Sequence, residues 1–168
     1  MKVEQKKLSN TEMLAYFSDP LPIIGTFYGN NDISMPILND VNKNKDLSQV
    51  LLTSDFLYLK AFLPENLNKL WLPALAEIED YFEINKKIIP ATSDHTKEKI
   101  TLLLQTVIAP FLQHDGGDVQ FVELNNNVVT VRFLGKCQNC PHAQSTLTNH
   151  VRKNLCRYLP NVREVKLI

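Results

Sequence analysis

The stretch Gly135-Lys136-Cys137-Gln138-Asn139-Cys140-Pro141-His142 carries two of the three cysteines and lies between a predicted strand and a predicted helix. The strand, residues 128–134, is rich in β-branched and aromatic side chains. Apolar residues follow at helical spacing, and Pro141 suits the first helical turn, where a missing N–H has no cost. Both sulfurs are therefore expected at or just before a helix N-terminus. Free N–H groups and the helix dipole favour the thiolate there, which is the form that binds soft metals and clusters.

The elements around this motif predict a small α-β-β-α-β domain with one sheet and two helices on one face. A helix is predicted from apolar spacing over residues 100–112, with a kink or early fraying at Pro110. It ends at Gly116 and Gly117, which we interpret as a helix stop, with an anion cradle or a close backbone approach as alternatives. Two strands, 119–124 and 128–134, follow around an asparagine turn, and a short strand closes the chain after the second helix.

The first half of the chain predicts short strands followed by one long helix. Residues 13–17 and 23–28 are interpreted as a hairpin, and 50–52 and 56–63 as strands around a polar turn. An amphipathic helix follows over residues 67–82, and its regular part is expected to begin near Leu70 because Pro73 lies inside it. Trp71 is predicted to be a core anchor rather than a ligand platform.

The predicted organisation is α+β with two small domains, residues 1–85 and 97–168, joined by a linker over 86–96. The whole chain has 18 Lys and Arg against 18 Asp and Glu. Residues 97–168 hold nine Lys and Arg and five Asp and Glu, a balance of +4, which leaves −4 for the rest. No basic cluster is dense enough to indicate a nucleic-acid partner.

Composition excludes several other classes of protein. Hydrophobic residues make up 44% of the chain, which favours a packed core over disorder. No apolar run approaches ~18 residues, so no membrane partner is expected, and the first residues lack the character of a signal or transit peptide. Three cysteines do not predict a disulfide framework. A reducing, cytoplasmic location is the expectation.

The two motif cysteines leave three chemical interpretations open. A structural zinc site needs four ligands, and Cys137, Cys140 and His142 offer at most three. A dithiol oxidoreductase would use Cys137 as its nucleophile and needs no metal. An iron–sulfur cluster is typically held by four thiolates, which two chains could supply. Cys156 lies ~22 Å further along the helix and is interpreted as incidental, and His142 is expected to meet solvent. No catalytic constellation is present, so an enzyme is not expected.

Two motifs at a fixed separation resemble those of a known family. The run from Ile108 to Val119, which contains Asp115-Gly116-Gly117-Asp118, and the later Cys137–Cys140 motif closely resemble the NifU-like C-terminal domain of Nfu-type iron–sulfur proteins. The first 85 residues more loosely resemble the Nfu N-terminal domain, through Ser54-Asp55-Phe56 and Leu72-Pro73-Ala74, although the usual opening motif is absent.

The resemblance implies a scaffold or carrier of iron–sulfur clusters. It implies a 4Fe–4S cluster that is held by Cys137 and Cys140 and bridged between two copies of the chain in a homodimer. It also implies that the cluster is transferred to apo iron–sulfur proteins and that upstream cluster-assembly proteins are partners.

Overall fold

The computed structural model describes residues 2–29, 37–85, 87–91 and 96–168. The chain divides into two compact units, Met1–Ser93 and Asp94–Ile168, and each contains helices and strands. This confirms the predicted α+β class with two small domains. In the part of the chain that the structure describes, no helix is both long and apolar enough to cross a bilayer.

The first unit is built on a five-stranded antiparallel sheet with the strand order β1-β2-β6-β5-β4. A separate parallel pair joins β3 to β7. The strands are β1 (Val3–Lys7), β2 (Glu12–Phe17), β3 (Ile23–Ile24), β4 (Phe27–Gly29), β5 (Leu47–Leu52), β6 (Phe56–Ala61) and β7 (Ile89–Pro90).

The predicted hairpin between residues 13–17 and 23–28 is wrong. Strand β2 pairs with β1 on one side, where Val3 faces Phe17, and with β6 on the other. The prediction missed β1 because four of its five residues are exposed, so it lacks an apolar face. An edge strand rich in lysine and glutamate is common in native sheets, where charge discourages further strand pairing.

The strands predicted around Thr53-Ser54-Asp55 are confirmed as β5 and β6, although β6 ends at Ala61 rather than at residue 63. The Thr53 hydroxyl oxygen accepts the backbone N–H groups of Asp55 (3.1 Å) and Phe56 (3.0 Å). This side-chain turn satisfies two donors that the ladder leaves free, and so it fixes the connection between the two strands.

One long helix, α2 (Leu67–Ile84), follows a short helix α1 (Asn39–Asn42) and a 3₁₀ turn at Pro64–Asn66. It begins at Leu67, so the expected start near Leu70 is wrong. Pro73 has no N–H to donate to the Lys69 carbonyl four residues earlier. Both residues lie on the exposed face of the helix, so water can donate a hydrogen bond to that carbonyl instead.

Trp71 is a core anchor, as predicted. Its side chain is 2% exposed and packs in the hydrophobic core of the first unit. The indole Nε1–H donates a hydrogen bond of 2.9 Å to Oε1 of Gln5 in β1. The indole therefore buries its ring without leaving its one polar group unpaired.

Part of the predicted linker belongs to the first unit. Ile89 N–H donates to the carbonyl of Pro22, and Ala91 N–H donates to the carbonyl of Ile24, both at 2.8 Å. These bonds form the β3–β7 pair. Residues 86 and 92–95 of the predicted linker lie outside the described residues.

The second unit has the predicted α-β-β-α-β order. Its sheet has the order β10-β9-β8, in which β8 (Gly117–Asn125) and β9 (Val128–Gly135) are antiparallel and β10 (Glu164–Leu167) runs parallel to β9. Asn126 and Asn127 turn the hairpin at φ values of 48° and 63°. Asparagine tolerates this left-handed region better than most residues, which explains the turn.

Each of the two helices of this unit is interrupted by a π-helical segment. The first helix comprises α3 (Thr96–Leu103), the π segment Leu104–Ile108 and α4 (Ala109–His114). The second comprises α5 (Ala143–Thr146), the π segment Leu147–Arg152 and α6 (Lys153–Tyr158). Pro110 does not fray the first helix, because the π segment just before it rearranges the bonds that proline cannot complete.

The predicted apolar stripes form the core of the second unit with one exception. Leu147, Val151 and Leu155 of the second helix are buried. Phe111 was predicted to join them but is 51% exposed. Its ring stacks on the imidazole of His150, with the centroids 4.1 Å apart, so it contacts the neighbouring helix at the surface.

Candidate metal centre

The two motif cysteines lie on a loop that joins β9 to the second helix. Backbone hydrogen bonds wind this loop: Gln138 N–H donates to Gly135 (3.1 Å), and Ala143 N–H donates to Cys140 (3.0 Å). The N–H of His142 also points at Sγ of Cys140, 3.4 Å away. Both thiols are free and half-buried. The loop thus holds Cys137 and Cys140 near the surface, each of them partly exposed.

The helix begins later than the sequence predicted. Its first residue is Ala143, so Pro141 lies in the preceding turn and not in the first helical turn. A proline also fits a turn, because its φ is fixed near the value that turns require. The sulfurs therefore precede the helix, and Cys140 rather than Cys137 is the nearer of the two to its first turn.

Three glycines allow the cysteine loop to pack directly on the end of the first helix. Gly116 has φ +81° and its N–H donates to Gln113 (3.0 Å), which confirms it as the predicted helix stop. Gly117 has a different role, because a Cβ there would overlap Sγ of Cys137. Gly135 has φ +60°, and a Cβ there would lie 2.5 Å from the Gly116 carbonyl oxygen.

A close backbone approach was one alternative for the glycine pair, and at Gly117 both the side chain and the backbone N of Cys137 lie close. Gly135 was not singled out at all. The sequence did contain a signal for these close contacts. Gly135 stands directly before Lys136-Cys137, and Gly117 directly follows the helix stop at Gly116. Lys136 adds to the contact between the cysteine loop and the end of the first helix. Its N–H donates to the Gly116 carbonyl (3.1 Å), and its methylenes lie against Gly116.

The electrostatic surroundings of Cys137 do not favour its thiolate, although the sequence predicted that a helix N-terminus would. Burial raises the pKa of the Cys137 thiol, and the nearby charges of Cys140, Asp115 and Asp118 raise it further. Each of these negative groups disfavours a second negative charge on sulfur. The expectation of a helix-favoured thiolate is therefore wrong for Cys137 in the free chain.

Among the described residues, neither the third thiol nor an imidazole completes this site. Cys156 lies in α6, and its Sγ approaches the carbonyl of Val162 at 3.5 Å. It is half-buried rather than on the exposed edge of the helix. His142 is exposed, as predicted, and His114 lies 3.2 Å from its neighbour Asp115. Across the described ranges, no group of three or more His, Cys, Asp or Glu side chains could hold a metal ion.

Comparison with known proteins identifies the class of this domain. Residues 100–166, which include most of both helices, nearly the whole sheet and both motif cysteines, match the family described as the NifU-like domain. The second unit is therefore a NifU-like domain.

Similar proteins carry a more particular name. Proteins from Drosophila persimilis, Drosophila willistoni and Drosophila ananassae, each named "NFU1 iron-sulfur cluster scaffold homolog, mitochondrial", are 40%, 40% and 39% identical to this chain over 75 residues. Residues 100–166 are thus similar to the corresponding part of Nfu-type proteins, which confirms the resemblance seen in the sequence. The aligned residues are 45% of this chain but only 27%, 26% and 26% of the three relatives. The chain thus spans about a quarter of the length of the curated relatives that it matches.

The expected cytoplasmic location is contradicted by these relatives, which are named as mitochondrial. The expectation rested in part on three cysteines that do not predict a disulfide framework. Such cysteine usage is typical of a reducing compartment, but it does not distinguish one reducing compartment from another. The likeness of the first unit to an Nfu N-terminal domain stays a prediction.

Proposed function

We propose that this protein is an iron–sulfur cluster scaffold that holds a 4Fe–4S cluster through Cys137 and Cys140 and delivers it to other proteins. The observation that carries the proposal is the geometry of the loop. It presents two free, half-buried thiols, and Sγ of Cys137 lies so close to Gly117 that a Cβ at position 117 would overlap it. The names of the similar proteins support the broader scaffold role and a mitochondrial location.

The number of donors supports a site that is shared by two chains. A cluster of this type is usually held by four thiolates, and this loop supplies two. Among the residues that the structure describes, no third or fourth donor stands beside them. Two loops that meet across a two-fold axis would supply four, so the partner subunit of the proposed homodimer is a second copy of this chain.

The same geometry supports release of the cluster. The neighbours Lys136, Gln138, Asn139 and His142 are all exposed, so the loop is not enclosed by a core. In transfer, each thiolate of an acceptor replaces one scaffold thiolate as an iron ligand, and the displaced sulfur takes up a proton. Iron and sulfide keep their oxidation states throughout. The protein is in this account a carrier and not an enzyme, with cluster-assembly proteins upstream and apo iron–sulfur proteins downstream.

Anaerobic reconstitution with iron and sulfide tests the proposal against its two rivals. We expect a brown protein with iron and sulfide in equal amounts, read by visible absorption and metal analysis. A protein that takes up zinc alone would be a zinc-stabilised interaction module. Catalytic reduction of insulin disulfides without metal would indicate a dithiol oxidoreductase. Either of these results would overturn the scaffold proposal.

A transfer assay then separates a donor from a mere store. The loaded protein is mixed with an apo 4Fe–4S protein in the presence of a strong iron chelator, and recovery of the acceptor's own activity is followed. Direct transfer keeps iron away from the chelator, so recovery should persist. If recovery stops once free iron is scavenged, the protein is not a direct donor.

A further inference from the structure

A cleft of about 570 Å³ runs along β8 and ends beside the cysteine loop. On the strand side it is lined by residues 118–121 of β8 and by Leu134 of β9, and on the helix side by the first helix. Asp118, at one end, directly follows Gly117, on which Sγ of Cys137 rests. The cleft and the proposed cluster site are therefore neighbours within a single unit.

The lining shows that the cleft lies off the free edge of the sheet. Strand β8 is the last strand in the order β10-β9-β8. Successive side chains of a strand point to opposite faces, yet Asp118 and Gln120 line the cleft together with Val119 and Phe121. A space that touches both faces of a strand must lie beyond its edge, where a further strand would pair.

The opposite wall of the cleft is a stripe of the first helix. Thr101, Gln105, Ala109 and Gln113 lie at intervals of four residues, and Leu104 lines the cleft beside them. Gln105 and Gln113 are exposed, whereas Leu104 and Ala109 are buried. The two exposed amides suit a polypeptide backbone, because amides both donate and accept hydrogen bonds.

The backbone of β8 offers unpaired groups to this space. Gly116 accepts a bond from Lys136 N–H, so this pair is hydrogen-bonded within the β8–β9 ladder. Bonded and non-bonded pairs alternate in an antiparallel ladder. The N–H and C=O groups of Val119 and Phe121 therefore point away from β9 and toward the cleft.

One of these donors is covered by a side chain. The Val119 N–H donates to Oδ1 of Asp118 at 2.8 Å. Of the described residues that line the cleft, Asp118 is also the only charged one. A cationic side chain that bound this carboxylate would draw it from the Val119 N–H and free that donor for strand pairing. The Asp118 carboxylate thus blocks the Val119 N–H at this strand edge, and a positively charged segment could displace it.

We propose that this cleft binds an extended segment of the protein that accepts the cluster, as an added strand on β8. The segment would span about four residues, since residues 118–121 extend roughly 13 Å at ~3.3 Å per residue. It would be uncharged along its length, with one lysine or arginine at the Asp118 end. This inference rests on the proposed scaffold function, because it places the acceptor beside the cysteine loop.

A second copy of this chain fits the cleft less well. Antiparallel pairing of two β8 strands would match Val119 with Phe121 of the other copy, because these residues carry the outward N–H and C=O groups, and it would set Gly117 opposite residue 123. The two Gly117 positions would then be roughly 20 Å apart at ~3.4 Å per residue. In this register the two cysteine loops are too far apart to share one cluster, so the dimer that the scaffold requires would use another surface.

Nuclear magnetic resonance on the intact apo-protein tests the inference without a cluster. The probe is a capped hexapeptide of alternating valine and threonine with a single lysine at one end. We expect shifts of the Val119 and Phe121 amide signals, slower hydrogen exchange at both, and about tenfold weaker binding of the same peptide when its backbone is N-methylated. Replacing its lysine by glutamate should weaken binding about fivefold.

Two matched variants locate the site. Gln105→Trp places a bulky ring at the rim and should weaken peptide binding about tenfold, whereas Asn149→Trp, on the exposed face of the second helix, should leave it unchanged. Asp118→Asn should abolish the preference for lysine over glutamate while circular dichroism stays the same. Equal binding to the Gln105→Trp variant and the parent protein would overturn the inference.

Competition then tests the identity of the occupant. On reconstituted protein, saturating peptide should slow transfer to an apo 4Fe–4S acceptor several-fold, and the N-methylated peptide should not. Transfer that is unaffected would overturn the acceptor assignment. Shifts at Val119 and Phe121 that depend on protein concentration alone would assign the cleft to a second copy. Because peptide binding is scored on the apo-protein, failure of cluster loading and failure of this inference are distinguishable.

Discussion

The two units use their buried residues for different purposes. In the first unit, a five-stranded sheet and α2 enclose a hydrophobic core that includes Trp71 and Ile78, and none of its residues is a cysteine. In the second unit, a three-stranded sheet supports one loop, and a buried glycine lies directly beneath a cysteine sulfur. The comparison indicates that substitutions in the first unit should act on stability, whereas substitutions near the loop should act on the cluster.

Loss of a motif cysteine should have the largest effect. We expect Cys137→Ser or Cys140→Ser to abolish cluster loading, because each removes two of the four thiolates in a symmetric dimer. Cys156→Ser is the matched control and should load normally, since its sulfur lies near Val162 and outside the loop. Iron and sulfide analysis after anaerobic reconstitution measures both. Loss of the cluster in the Cys156 variant alone would refute the assignment of ligands.

Gly117→Ala should come next. Its new methyl group would overlap Sγ of Cys137, so the sulfur must move. Ligands have to be held within about 0.5 Å of their working positions, and we expect cluster content to fall about tenfold.

A glycine of the first unit provides the control for this substitution. Gly25 has φ +90°, so Gly25→Ala should destabilise the first unit by about 1–2 kcal/mol and leave cluster loading intact. Circular dichroism checks that both variants fold. Full cluster content in a folded Gly117→Ala variant would show that the close contact has no role in the site.

Ile78→Ala should reduce stability without reducing cluster loading. Ile78 is fully buried in the core of the first unit, so the truncation should lower the free energy of unfolding by about 3 kcal/mol. Trp71 is the only tryptophan, and its fluorescence during urea unfolding therefore reports the first unit alone.

An exposed residue of the same helix gives the reference value. Leu72 is 66% exposed, and Leu72→Ala should change stability by less than about 0.5 kcal/mol. If Ile78→Ala also lost its cluster while the first unit remained folded, the separation of roles between the two units would be wrong.

The smallest effect concerns the ion pair between Glu12 of β2 and Lys60 of β6 in the first sheet. Burial raises the pKa of Glu12, but hydrogen bonds with Lys60, Ser9 and Tyr58 outweigh it and leave the pKa below its ordinary value. The ionised form therefore stabilises the folded unit above the pKa of the unfolded chain, and this stabilisation is lost as the pH falls through the lower, folded value.

Glu12→Gln should remove this contribution. Because Lys60 is 40% exposed, solvent screens the pair, and we expect a difference of less than about 1 kcal/mol at neutral pH that disappears between about pH 5 and pH 3. Urea unfolding of parent and variant across this range measures it. A difference that grows as the pH falls would contradict the assigned direction.

Sequence patterns predicted the second unit well because its determinants are local. The apolar stripes of its helices, the asparagine turn and the Cys137–Cys140 spacing each lie within a short stretch of chain. The π-helical segments and the exposure of Phe111 were not predictable in this way, because both depend on how the two helices pack against each other. The close contact between Gly117 and Cys137 is between residues that are distant in sequence. Local patterns could therefore suggest it only as one alternative.

The first unit was harder to predict because its sheet is assembled from distant strands. Four of the five residues of β1 are exposed. Strand β2 pairs with β6, which begins more than 40 residues further along the chain. A polar edge strand has no periodic apolar signal. The adjacent apolar segments at residues 13–17 and 23–28 then favoured the wrong partner, since neighbours in sequence are the usual choice for a hairpin.

Native mass spectrometry of the anaerobically reconstituted protein tests the central claim most directly. The mass of the cluster-bearing species shows how many chains hold each cluster. The account predicts a dimer that carries a single 4Fe–4S cluster, with the apo-protein monomeric and the Cys137→Ser variant devoid of cluster. A single chain that carries a complete cluster, or a dimer that forms equally without one, would contradict it.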